Sequence, residues 1–171
     1  MPEKTISTQH IDEVVSLGIS SILREHGYKK LRRHFFRQTC EATLHLVVQA
    51  SQFNAPDRAR FTINLWSYLP AVAAQNGEPL ISEPQKQRGH AGIRIGHLLP
   101  IQEDYWWNVA SSNEVRSIAF DVEQAIREYA LPYLNRISDL EGIAKFSGYI
   151  PKIGQLPTPS SESARFLLGE A

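Results

Sequence analysis

The sequence predicts an α+β domain: an antiparallel sheet of about five strands, with an N-terminal helix and C-terminal helices packed on one of its faces. Three observations carry this. Apolar residues recur at helical spacing near each end of the chain. Between them, several short segments alternate apolar and polar residues with a period of two. The segments are joined by short turns rather than by helical crossovers.

The first helix is expected from about Thr8 to His26. Ile11, Val14, Val15, Ile19, Ile22 and Leu23 fall on one face. Thr8 is the expected N-cap, Asp12 and Glu13 suit the positive end of the helix dipole, and Gly27 is placed to end the helix in the left-handed conformation. A basic, aromatic strand follows over Tyr28 to Arg37, and "QTCEA" makes a turn. Leu44, Leu46, Val48 and Ala50 alternate with His45, Val47, Gln49 and Ser51 in the next strand. "FNAPDRA" is a second turn, with Asn54, Pro56 and Asp57 as its turn-forming residues. Phe61, Ile63 and Leu65 then alternate with Thr62, Asn64, Trp66 and Tyr68.

Residues 70–90 lack useful periodicity and read as a long loop, of a kind often functional or mobile. Ile93 and Ile95 around Arg94 give a fourth strand, and Tyr105, Trp107 and Val109 a fifth, with "LPIQED" as the hairpin connection between them. Gly92 and Gly96 thin the Arg94 strand and let a neighbour approach closely. Ser111 and Glu114 form a Ser-x-x-Glu capping box. The helix it opens carries Val115, Ile118, Ala119, Val122, Ala125, Ile126 and Tyr129 on one face. Pro132 stops or kinks it, and Leu134, Ile137 and Leu140 continue a shorter stripe. The expected division is a single domain over residues 1–148 and a Pro- and Ser-rich C-terminal tail, extended or disordered, over 149–171.

The motifs "HGYKKLRRHFFRQ", "VVQASQF", "RFTINLWSY", "IRIGHLLP" and "DYWW" resemble, in order and spacing, the landmarks of the family catalogued as domain of unknown function 4304. The resemblance covers residues from about 15 to about 140, leaving out the 70–90 loop and the tail. It implies a small bacterial α+β protein and no particular activity.

The composition narrows the function. Lys plus Arg and Asp plus Glu balance at 18 each, so the chain has no general attraction to nucleic acid or to an anionic membrane. The single Cys40 excludes an internal disulfide framework and a Cys-rich metal site, and suits a reducing cytoplasm. The polar N-terminus lacks an apolar signal region, and no apolar run approaches a membrane span, so a cytoplasmic protein with no membrane partner is expected. The basic run "KKLRRHFFR" resembles a single-strand nucleic-acid groove in composition, but at net charge zero it reads as an edge strand guarded against edge-to-edge pairing. His34 and His45 can face each other across the first hairpin, yet two imidazoles fall short of a metal ligand set, and no metal or cofactor is expected. Cys40 beside Glu41 reads as an ordinary turn residue.

Candidate site residues come from alternation. If Leu44, Phe61, Ile63, Leu65 and Ile93 face the helices, the opposite face carries Gln49, Asn64, Trp66, Tyr68, Arg94 and Trp106. Amides, a guanidinium and aromatic rings are unusual for a merely solvated face and typical of binding hot spots. The bland alternative covers Trp66 and Trp106 with the 70–90 loop and pairs Arg94 with Glu103 or Asp104. The expected function is a non-catalytic protein-binding module, an immunity or antitoxin-like partner of another protein, using this face and the 70–90 loop. The alternative is a small-ligand-binding protein or enzyme with a pocket around Arg94 and with His97 or His90 as acid or base.

Overall fold

The computed structural model of the protein describes residues 6–55, 58–145, 147–150, 154–157 and 159–169, with backbone alone over 147–160. The chain is an α+β fold built on an antiparallel sheet. The first helix is α1 (Ile6–Val14), which passes through a π turn (Val15–Ile19) into α2 (Ser20–Glu25). Ile11, Val14, Val15, Ile19, Ile22 and Leu23 are all buried, as their spacing requires. Because the helix already runs from Ile6, Thr8 lies inside it and does not cap it, and Asp12 and Glu13 fall beyond its first turn. Gly27, at φ 80°, closes α2. The Tyr28 N–H bonds to the Leu23 carbonyl at 2.9 Å and the Gly27 N–H to that of Arg24 at 3.0 Å, the paired bonds of a Schellman end.

The segment expected as one strand is two, β1 (Lys29–Leu31) and β2 (His34–Gln38), joined by a turn in which Arg32 has φ 58°. Neither Gly nor Asn marks that turn, which is why the alternation of charges and aromatics reads as continuous. β3 (Thr43–Ala50) and β4 (Ala59–Tyr68) extend the meander, with Leu46 opposite Leu65 and Gln49 opposite Thr62. The turn between them is held by Asn54, which accepts from the Arg60 N–H at 2.7 Å; Pro56 and Asp57 lie outside the described residues.

Residues 70–90 are not a structureless loop. They open with α3 (Pro70–Gln75), whose Val72 and Ala73 are buried, and the rest folds back across the sheet face that points away from the helices. β5 (Ala91–Arg94) and β6 (Trp107–Val109) do not form a hairpin with each other. Both pair with β4, one along Asn64–Ser67 and the other along Ala59–Phe61, so they lie end to end on the same edge. Residues 95–106 make the excursion between them. A Cβ at Gly96 would strike the Glu103 carbonyl, which shows how tightly that excursion closes. Among the described residues the sheet has six strands.

α4 (Val115–Ala125) follows a short turn at Ser112–Glu114. Only half of the capping box forms. The Ser111 side chain makes no capping bond, whereas the Glu114 carboxylate accepts from the Ala110 N–H at 2.8 Å. Pro132 does not stop the helix. A π turn (Ile126–Ala130) precedes it and the chain continues as α5 (Leu131–Arg136), then α6 (Leu140–Ala144). The π turn re-aims the carbonyls just where Pro132 supplies no N–H. α1, α2, α4, α5 and the inward sheet residues close over one core, in which Trp107 stacks on Phe61 at 5.5 Å. The two helix layers meet at Gly18, where a Cβ would strike the Ala119 backbone carbonyl.

Residues expected as an extended tail form β7 (Ser147–Ile150), β8 (Gly154–Pro157) and α7 (Pro159–Leu167). Ala164 of α7 is fully buried in the core, and the Arg165 Nε donates to the Ala144 carbonyl at 3.0 Å. Ser161 and Ala164, three residues apart on α7, are both fully buried, so its inward side is made of small residues that Pro and Ser counts conceal.

Candidate functional site

The face of the sheet turned away from the helices divides into a covered half and an open half. β4 runs through both and sets the alternation: Phe61, Ile63 and Leu65 go to the core, and Thr62, Asn64, Trp66 and Tyr68 to the opposite side.

The covered half contains Tyr68, Trp66, His45 and His34. Tyr68 is buried; its hydroxyl accepts from the Ile81 N–H at 3.1 Å, and the His90 ring stacks on it at 5.1 Å. His90 accepts on Nδ1 from the Leu69 N–H at 2.9 Å, and its Nε2 lies 3.3 Å from Glu78. It is a clasp between the sheet and the covering segment, away from Arg94. Trp66 is half-buried and stacked on His45, with Gly89 so close that a Cβ there would sit 2.7 Å from the Trp66 Cβ. The Trp66 Nε1 is buried and has no hydrogen-bond partner among the described residues.

His34 and His45 do meet, as diagonal neighbours, since His45 lies opposite Phe36 and His34 opposite Val47. Their rings are linked Nε2 to Nδ1 at 2.8 Å. The proton positions follow from the far end of the chain of bonds. Gln87 donates its Nε2 to the Ile81 carbonyl, so its Oε1 accepts from the His45 Nε2 at 3.0 Å. Neutral His45 therefore accepts on Nδ1, and the His34 Nε2 is the donor. Burial, with the neighbouring His34 adding to it and the Gln87 bond opposing, pushes the pKa of His45 from 6.5 down to about 4. Burial also lowers that of His34. These imidazoles are a neutral, directional link between sheet and covering segment. Among the described residues no group of three or more His, Cys, Asp or Glu is placed to hold a metal ion.

The open half brings together Gln49, Asn64, Arg94 and Trp106. The Asn64 Nδ2 donates to the Gln49 Oε1 at 2.7 Å, and its Oδ1 lies 3.3 Å from the Arg94 Nε. The Arg94 Nη1 donates to Asp104 at 2.7 Å, and the guanidinium lies over the Trp106 ring at 5.2 Å. Burial pushes the Asp104 carboxyl up, but its bonds from Arg94 and Trp106 and the nearby charges of Arg94 and His97 hold it below the usual range. Arg94 is thus engaged on both sides and braces the face. Trp106, just before β6, is half-buried on the outer side, and Trp107, the first residue of β6, is in the core.

Two further residues complete this half. Arg60 lies over the Trp106 ring at 5.9 Å, and Phe53, on the β3–β4 turn, is 82% exposed. A groove of about 380 Å³ runs between them, lined by Gln49, Ala50, Ser51, Gln52, Phe53, Arg60 and Trp106. Alternation with Phe61 is enough to point Arg60 outward. Phe53 sits in a turn, where no periodicity predicts a direction.

A family model described as Domain of unknown function (DUF4304) matches residues 19–136. No curated protein and no solved structure matches the chain.

Proposed function

The chain belongs to the DUF4304 family, and on that premise we propose that it is a non-catalytic protein-binding module of the immunity or antitoxin kind, acting in the bacterial cytoplasm through the open half of its outer sheet face. The observation that carries this reading is Phe53. A phenyl ring 82% exposed beside a groove with Trp106 as one wall is an anchor without a socket on its own chain. The groove offers side-chain amides at Gln49 and Gln52 for a partner's backbone, and the Trp106 ring between two guanidinium groups supplies a pre-ordered polar and aromatic wall. The exposed thiol of the single Cys40 suits a reducing compartment.

A small anionic ligand is the second reading, supported by the groove's size and by Arg60 in its wall. Arg94, bonded to Asp104 and Asn64, and His90, bonded to Leu69 and Glu78, are both committed to the fold, which speaks against catalysis at these two residues.

Photo-cross-linking in the native host tests the proposal. A photoreactive phenylalanine analogue at position 53 should yield a discrete protein adduct, and the same probe at Phe120, 61% exposed on α4 among the helices, should not. Identical adduct patterns, or none from position 53, would overturn it.

A further inference from the structure

Positive charge is concentrated at one corner of this neutral chain. Residues 24–37 hold Arg24, Lys29, Lys30, Arg32, Arg33 and Arg37 against the single carboxylate of Glu25. Several of these cations have structural work. Arg33 binds Asp12 at 2.8 Å and the Thr8 carbonyl at 3.0 Å. Arg37 donates to His26 and Asn135, and Lys30 to the Ser20 hydroxyl. Lys29 and Arg32 are exposed and make no ion pair among the described residues. Arg32 also holds the tip of the β1–β2 turn at φ 58°, a conformation that Gly or Asn adopts at less cost. The chain thus carries a guanidinium at a left-handed position of the hairpin, where any Cβ is costly.

Beside that tip, on the outer face of the sheet, lies a cleft of about 450 Å³ lined by Leu31, Arg32, Arg33, His34, Val47 and Gln85. Its apolar surface comes from Leu31, 46% exposed, and from Val47. Among the described residues no carboxylate lines it. His34, its Nε2 already given to His45, adds no positive charge at neutral pH, and with Arg33 held by Asp12 the cation of the rim left unpaired among the described residues is Arg32.

We infer that this cleft receives an acidic segment of the partner protein, with one apolar side chain seated on Leu31 and Val47 and flanking carboxylates on Arg32 and Lys29. The inference rests on the protein-binding reading above and adds the partner's chemistry to it. The planar fork of Arg32 suits bidentate contact with a carboxylate. The aliphatic floor of Leu31 and Val47 suits an aliphatic peptide side chain. Arg60 lies across the same sheet face in the wall of the Phe53 groove, so an acidic partner that reaches from this cleft to that groove meets a cation at each end.

The test is an amide NMR titration of the full chain with three probes: a short peptide of Glu flanking Leu, its Gln counterpart, and an oligothymidine of equal charge. The acidic peptide should shift the amides of Leu31, Arg32, His34 and Val47. Arg32→Glu, at an exposed site that leaves the melting temperature unaltered, should weaken it by about tenfold, the effect of about 1.4 kcal/mol at a lost and reversed charge contact. Equal binding of the Gln peptide, stronger shifts from oligothymidine, or no shift at all would overturn the inference. The cross-linked partner separates this failure from that of the module reading. If Phe53→Ala weakens the partner and Arg32→Glu does not, the acidic cleft is wrong and the module stands. If neither does, both fall.

Discussion

Acid should loosen the covering segment before it unfolds the core, and the magnitude follows from His45. Its ring is fully buried, accepts from His34 on Nδ1 and donates to Gln87 on Nε2, so the folded protein has no place for a second ring proton. The unfolded chain takes that proton near 6.5, and the folded one only near pH 4. Between those values the unfolded state binds more protons, so stability contributed by neutral His45 is complete above about pH 6.5 and falls as the pH drops toward 4. Each pH unit of that window is worth about 1.4 kcal/mol, which puts the loss at pH 5 near 2 kcal/mol. His34, lowered by burial, acts in the same direction. Urea titrations at pH 7 and pH 5 measure the loss, and His45→Gln removes the titrating group while keeping a polar side chain there. The variant should be less stable at pH 7 but should lose about 2 kcal/mol less than the wild type on acidification. Equal losses in the two proteins would refute the tautomer chain and the role given to His45.

Other perturbations probe other joints. Arg94→Ala breaks a pair whose side chains are 30% and 50% exposed, together with a contact to Trp106, so a denaturant melt should show a cost of about 1 kcal/mol rather than the several expected of a buried ion pair. Ser111→Ala should leave the denaturation midpoint within about 0.5 kcal/mol of the wild type, whereas Glu114→Ala, which frees the Ala110 N–H, should cost about 1 kcal/mol. Deleting residues from 159 onward removes the buried Ala164 and the Arg165 bond to Ala144, and should lower the midpoint by more than about 1 kcal/mol; an unchanged melt would make α7 a dispensable appendage.

The layers of the fold were legible because they rest on periodicity. The inward stripe of α1 and α2, the alternation of β3 and β4 and the stripe of α4 bury nearly all the residues their spacing selects, with Ala50, Ile118 and Tyr129 left partly exposed. What sequence reasoning missed turns on features without a period. The Arg32 turn carries no turn-forming residue, so two strands read as one. β5 and β6 lie close in sequence and look like a hairpin, but β4, with ten residues, is long enough to pair with both end to end. Beyond α3, the 70–90 segment shows no pattern because its contacts are single side chains, Gln87 to His45 and His90 to Tyr68, rather than a face. At the candidate site, alternation correctly turned Gln49, Asn64, Trp66, Tyr68, Arg94 and Trp106 outward, but it is blind to what lies above them. Trp66 and Tyr68 prove to be under the covering segment, while Gln49, Asn64, Arg94 and Trp106 share the open half with Arg60 and Phe53.

The central claim is that the open half of the outer sheet face, and not the helical side, meets the partner protein. The most direct measurement is the partner's dissociation constant for the wild type, Phe53→Ala and Phe120→Ala, both substitutions being at exposed rings that leave the core intact. An anchor residue contributes about 2 kcal/mol or more, so Phe53→Ala should raise the constant roughly thirtyfold while Phe120→Ala leaves it unchanged. The opposite ranking, or equal constants for all three proteins, would contradict the account.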